Sequence, residues 1–136
     1  MAKAPNLFYF EAFGGTEEGY LFSTQDAEKL PFAVKRIFWL HRVPANHIRG
    51  QHAHLTTEEV LVSLQGTNTV TTETQAGKQD FTLDSPEQAL YLPALCWVTL
   101  TFSPGALLLC LASNNFDPAD YIRDYEVFQK IIRPTN

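Results

Sequence analysis

From about Leu30 to Ala112 the apolar residues fall in short runs, several of them alternating with polar positions, and turn-forming residues interrupt them. Val34–Leu40, Val60–Leu64, Asn68–Thr72, Asp80–Leu83, Ala89–Leu92, Trp97–Phe102 and Ala106–Ala112 each read as a strand rich in β-branched and aromatic side chains. Gly66, Ala76-Gly77, Ser85-Pro86 and Pro104-Gly105 punctuate them. Short strands separated by turn signals, with no long helical period among them, predict an all-β, many-stranded antiparallel sandwich or barrel.

The tail has a different grammar. Asp117-Pro118-Ala119-Asp120 offers an N-cap, a proline at the first helical position and an acid in the first turn, so a short C-terminal helix is predicted to follow. Tyr121, Tyr125 and Phe128 recur at spacings of four and three, which gives that helix an aromatic stripe to lay on the sheet.

Composition narrows the picture. At 136 residues, with 45% hydrophobic and 18% charged residues, the chain is expected to form a single domain over residues 1–136 that buries roughly two-thirds of its unfolded surface. Ten Phe, five Tyr and two Trp supply large apolar pieces for that core. A net charge of −5 and the absence of any Lys/Arg run argue against a sequence-independent grip on nucleic acid. Neither a signal-peptide core nor an apolar stretch of membrane-spanning length is present, so a cytoplasmic protein is expected, with no membrane partner. Cys96 and Cys110 lie in apolar surroundings without metal or redox spacing, and read as buried reduced thiols.

Chemistry concentrates in the segment Ile48-Arg49-Gly50-Gln51-His52-Ala53-His54-Leu55-Thr56-Thr57-Glu58-Glu59. On a strand, His52 and His54 face the same side. On the inner wall of a small barrel they would converge on one cavity with a carboxylate close behind, which suits a metal site or proton transfer. The run His52-x-His54, then Glu59, then Gly66 has the spacing of the first cupin motif, although Asn46 stands where its leading glycine would be. The second motif keeps Pro93, but Leu95 and Val98 occupy its glycine and histidine positions, so no three-histidine metal site can be assembled. His52, His54 and Glu59 could still form a facial triad. Metal-free proton transfer by a tuned imidazole is the favoured reading, with no cofactor.

Together, Lys35-Arg36, Arg49-Gly50-x-His52-Ala53-His54, Leu61-Val62-Ser63-Leu64-Gln65-Gly66, Leu83-Asp84-Ser85-Pro86 and Asp120-Tyr121-Ile122-Arg123-Asp124-Tyr125 resemble the dTDP-sugar 3,4-ketoisomerases of the WxcM-like cupin group, from about Pro31 to Phe128. The resemblance implies a cupin-type jelly roll, a homodimer, and conversion of a dTDP-4-keto-6-deoxyhexose to its 3-keto isomer through an enediol. It makes His54 the first candidate for the base and His52 its shuttle or partner. Arg49 is then a candidate for oxyanion or diphosphate contact, Arg36 and Arg123 for phosphate or nucleotide contact, and Glu59 and Trp39 for substrate binding. The aromatic segment Leu7-Phe8-Tyr9-Phe10 is a candidate to pair with a second subunit's sheet.

Relatives of this kind carry Trp-His-Glu where this chain has Trp97-Val98-Thr99, Gln at Glu59, an Asp-x-Arg-Gly near Thr16-Glu17-Glu18-Gly19-Tyr20 and a Tyr pair at Phe38-Trp39. These departures leave two alternatives beside the isomerase: a non-catalytic cupin that binds a sugar nucleotide, and a metal-dependent cupin using His52, His54 and Glu59.

Overall fold

The computed structural model describes residues 3–25 and 29–134. Two five-stranded sheets face each other. The first runs β1 (Asn6–Tyr9), β9 (Gln88–Leu92), β6 (Glu59–Gln65), β11 (Leu107–Ala112), β4 (Arg36–His41); the second runs β12 (Tyr121–Ile122), β5 (Arg49–His54), β10 (Trp97–Phe102), β7 (Asn68–Thr74), β8 (Gly77–Leu83). All these pairings are antiparallel, as expected of a jelly-roll sandwich of the cupin type.

The alternation read in the sequence becomes the inside and outside of the sandwich. On β10 and β11, buried positions alternate with half-buried ones. Leu61, Leu90, Leu92, Leu108 and Cys110 from the first sheet meet Val70, Leu83, Val98, Leu100 and Phe102 from the second in one apolar cluster. The outer face of the second sheet is covered by the helix α1 (Tyr125–Ile132), whose Phe128 and Ile132 pack on Ala53 and Ile122 beside Leu95 and Trp97.

One expectation needs correction. The helix does not start after Asp117. That residue caps only a 3-10 turn, Pro118–Asp120, after which the chain extends as β12, and α1 begins at Tyr125 under its own cap, Asp124. The reason is long-range. The Asp120 carboxylate accepts hydrogen bonds from the backbone N–H and the hydroxyl of both Thr56 and Thr57, and the Asp120 carbonyl accepts one from the Leu55 N–H. The turn is thereby tied to the end of β5, and Tyr121 and Ile122 pair with His54 and Ala53. Leu7, Phe8 and Tyr9 of the segment singled out for pairing lie in β1, an edge strand that pairs on one side with β9 of the same chain. A hairpin of β2 (Glu11–Gly15) and β3 (Gly19–Ser23), outside the strands read in the sequence, leaves Phe13, Tyr20 and Leu21 exposed. No helix among the described residues is long and apolar enough to cross a membrane.

Candidate active site

The site begins with an irregularity in β5. Across to β10, Leu100 pairs with Arg49, Thr99 with Gly50 and Val98 with His52, so Gln51 is an extra residue, a β-bulge. Gly50 and Gln51 both have positive φ, 82° and 57°. A Cβ on Gly50 would lie 2.7 Å from the Val98 carbonyl oxygen, so this position tolerates only glycine. Without the bulge, strand parity would send Arg49 and His52 to opposite faces. With it, both share the inner side marked by Leu100 and Val98.

They open onto a cavity of about 280 Å³ between the sheets, lined by Arg49, His52, Glu59, Tyr121 and Arg123 above a floor of Phe38, Leu40, Leu61, Leu92, Val98 and Leu100. A wider depression of about 550 Å³ lies elsewhere, beside Lys3, Glu58, Tyr91 and Ile131. Its acid is already engaged, since Glu58 accepts from the Tyr91 hydroxyl and pairs with Lys3, and it contains no histidine. Acid–base chemistry therefore points to the smaller cavity.

His54 stands one step behind the cavity wall, 6% exposed. Its ring lies 4.5 Å from that of Tyr121 and 5.1 Å from that of His52, centroid to centroid. Its Nδ1 is 3.8 Å from Glu59 Oε1, and its Nε2 is buried without a hydrogen-bond partner. Burial, and then the neighbouring His52, push the His54 pKa down to about 4, against the opposing pull of Asp120. Burial also lowers that of His52, aided by Arg123 and Arg49 against a stabilising hydrogen bond at Gly50. Both imidazoles are thus neutral near pH 7 and free to accept a proton. Burial raises the Glu59 carboxyl to about 7, although the Arg36 cation opposes the shift.

The arginines divide by position. Arg49 and Arg123 are on the cavity wall, Arg123 with its guanidinium 4.4 Å over the Tyr121 ring. Arg36 does not line it; its guanidinium is held over the rings of Phe38 and Phe116, and its Nε has no partner. Trp39 also stands apart. Its neighbours Phe38 and Leu40 face inward, so strand parity turns Trp39 outward, where it is 64% exposed. Tyr121 and Phe116 are cavity residues that sequence reasoning missed; the alternation of Tyr121 and Arg123 on an extended segment was the available signal. Glu58, by contrast, points to the surface and bonds Lys3 and Tyr91. Among the described residues no three His, Cys, Asp or Glu are grouped to hold a metal ion, so His52, His54 and Glu59 do not form a facial triad as placed.

A sandwich whose open end holds neutral imidazoles and a buried acid, with guanidinium groups at its wall, is a small-molecule site suited to proton transfer on an anionic ligand. Comparison with known proteins agrees. Residues 5–133 match the family model described as FdtA, WxcM-like, C-terminal. Over 119 residues, 87% of this chain and 86% of the relative, the sequence is 35% identical to a TDP-4-oxo-6-deoxy-α-D-glucose-3,4-oxoisomerase from Aneurinibacillus thermoaerophilus. Among solved structures, a 3,4-ketoisomerase from Helicobacter canadensis matches with a TM-score of 0.88 at 29% identity, covering 94% of this chain and 96% of its own. A histidine-to-asparagine variant of the 3,4-ketoisomerase QdtA from Thermoanaerobacterium thermosaccharolyticum, in complex with TDP-4-keto-6-deoxyglucose, matches at 0.90 and 27%, covering 98% and 96%. The chain belongs to the FdtA/WxcM-like family.

Proposed function

We propose that this chain is a sugar-nucleotide 3,4-ketoisomerase that converts a TDP-4-keto-6-deoxyhexose to its 3-keto isomer by histidine-mediated proton transfer. The observation that carries the reading is the buried, unpartnered Nε2 of a neutral His54 beside a cavity whose wall carries His52 and Glu59. A buried nitrogen with no partner in the protein calls for an explanation, and a catalytic role beside the cavity supplies one. His54 takes the proton from C3, the electron pair forms an enediol with C4, and the proton returns at C4; His52 serves as shuttle or partner.

A cavity of about 280 Å³ is at the small end for ligand pockets, which suits the hexose ring with the nucleotide beyond the rim. The diphosphate then falls to Arg49 and Arg123, whose forked N–H donors match phosphate oxygens. The chain acts as one domain and as a homodimer; Ile37 and Trp39, 57% and 64% exposed on the outer face of the edge strand β4, offer an apolar surface for a second copy. Two free, buried thiols, Cys96 and Cys110, fit a reducing cytoplasm.

The test is incubation with TDP-4-keto-6-deoxyglucose in D₂O, followed by NMR. Loss of the C3 proton signal and appearance of a 3-keto product are expected. Tight binding with no exchange would replace the reading by a non-catalytic binder, and activity that tracks stoichiometric bound metal would overturn the metal-free chemistry. Light scattering of the purified chain decides between dimer and monomer.

A further inference from the structure

Moving a carbonyl from C4 to C3 requires two proton transfers, one between carbons and one between oxygens: H leaves C3 and arrives at C4, while the hydroxyl proton leaves O3 and one arrives at O4. A single imidazole accounts for the first. Besides His52, the lining offers the Tyr121 hydroxyl, the Cys110 thiol and the Glu59 carboxyl for the second, and of these only the carboxyl can give a proton from one oxygen while accepting another at its second. Glu59, at the first position of β6 on the same face as Leu61, is buried, lines that cavity, and has its carboxyl oxygen 3.8 Å from His54 Nδ1.

Resting on the isomerase reading above, we propose that Glu59 is a further catalytic residue of this chain, a carboxyl group that relays the hydroxyl proton from O3 to O4 while the histidine moves the carbon-bound proton. A carboxyl group suits this task because it can give a proton from one oxygen and accept another at its second. In the first half, the imidazole takes H⁺ from C3, the C3–H electron pair becomes the C3–C4 double bond, the C4 carbonyl π pair moves to O4, and Glu59 protonates O4. In the second half, the Glu59 carboxylate takes the proton of the O3 hydroxyl, the C3 carbonyl forms, and the double-bond pair takes H⁺ from the imidazolium at C4. Imidazole and carboxylic acid are both restored, and no other reagent is consumed. Between the halves, the Glu59 carboxylate faces the His54 imidazolium across 3.8 Å and stabilises it.

The surroundings favour the protonated acid. Arg36 on β4 is the cation acting on it, His52 and His54 face it from β5, and Tyr121 from β12. The thiols of Cys110 on β11 and Cys96 before β10 stay un-ionised, since burial pushes the Cys96 pKa to about 12 and that of Cys110 well above its usual value. Desolvation outweighs Arg36 and holds Glu59 at about 7.

The decisive experiment compares wild type with Glu59→Gln in the TDP-4-keto-6-deoxyglucose assay across pH 5.5 to 9. In wild type, kcat is expected to fall as the pH rises past roughly 7, where the acid loses its proton. In Glu59→Gln, kcat is expected to drop about 100-fold with KM changed less than about threefold, and the alkaline fall to disappear. A variant with kcat within threefold of wild type and the same alkaline limb overturns the relay. A loss confined to KM makes Glu59 a binding residue only and also overturns it. Wild type without isomerase activity would instead strike the parent reading, so the two failures are distinguishable.

Discussion

The two ends of the sandwich are built from the same two sheets and fill the space between them in opposite ways. At the closed end, Val70, Leu83, Ala106 and Leu108 are wholly buried and Phe102 nearly so. The polar Asn68 enters that end with its amide nitrogen donating to Ser63, whose hydroxyl in turn donates to the Gly66 carbonyl, while the Asn68 Oδ1 is left without a partner. At the open end, the inner faces present Arg49, His52, Glu59, Tyr121 and Arg123 around a cavity, with His54 buried behind them. Dispersion and desolvation of apolar surface hold the closed end together. The open end gives up part of that packing to keep ionisable groups dry, and their displaced pKa values follow from it. Stability and chemistry are therefore expected to separate by position along the same strands.

Substitution at each end tests that separation most severely. His54→Asn is expected to lower turnover by about 10²–10⁴-fold while the protein still folds, read by NMR of the isomerisation and by circular dichroism. Leu83→Ala is expected to cost about 2–5 kcal/mol in urea unfolding, with the KM of the folded fraction unchanged. If Leu83→Ala shifts KM as much as stability, or His54→Asn unfolds the chain, the two ends are one cooperative unit and the division fails.

Within the open end, the rim is expected to separate from the interior. Arg49→Ala or Arg123→Ala should raise KM for the sugar nucleotide about tenfold and weaken inhibition by free TDP in parallel, leaving kcat within a few-fold. An unchanged TDP affinity in both variants would remove the arginines from the diphosphate.

The closed end was legible in the sequence because its strands largely keep period two: β10 was read at Trp97–Phe102 and found there. The open end depends on departures from that period and on distant contacts. Arg49 and His52 are three apart, a spacing that reaches one face only through the bulge at Gln51, and the sequence hint was the glycine between them. Tyr121 was assigned to a helix because the capping signal at Asp117 is local, whereas the clamp that overrides it joins Asp120 to Thr56 and Thr57 more than sixty residues away. Trp39 was drawn into the site by its neighbourhood; its outward direction follows from the parity of β4 against β11, where Phe38 pairs with the inward Cys110. The histidine pair itself needed nothing beyond strand parity.

The smallest expected effect is a difference in the pH dependence of stability, and it bears on both ends. His54 has its pKa lowered from 6.5 to about 4 by folding, so its contribution is complete above pH 6.5 and is lost as the pH falls through about 4. Glu59 has its pKa raised from 4.5 to about 7, so its contribution is complete below pH 4.5 and is lost as the pH rises through about 7. Between about pH 4.5 and 6.5 the two slopes oppose each other and largely cancel. Replacing Glu59 by Gln removes one of them and exposes the other, so thermal melts of Glu59→Gln should fall more steeply on acidification through this window than those of wild type. His54→Asn should fall less steeply. Groups such as Asp120, whose carboxyl is held below its usual range by the Thr57 and Thr56 hydrogen bonds against the cost of burial, add the same slope to all of these proteins and drop out of the difference. Leu83→Ala, at the end without ionisable groups, should melt lower at every pH but parallel to wild type. Parallel curves for all four proteins would mean that the open end is wetter than its geometry implies, because only desolvation moves the two pKa values so far in opposite directions.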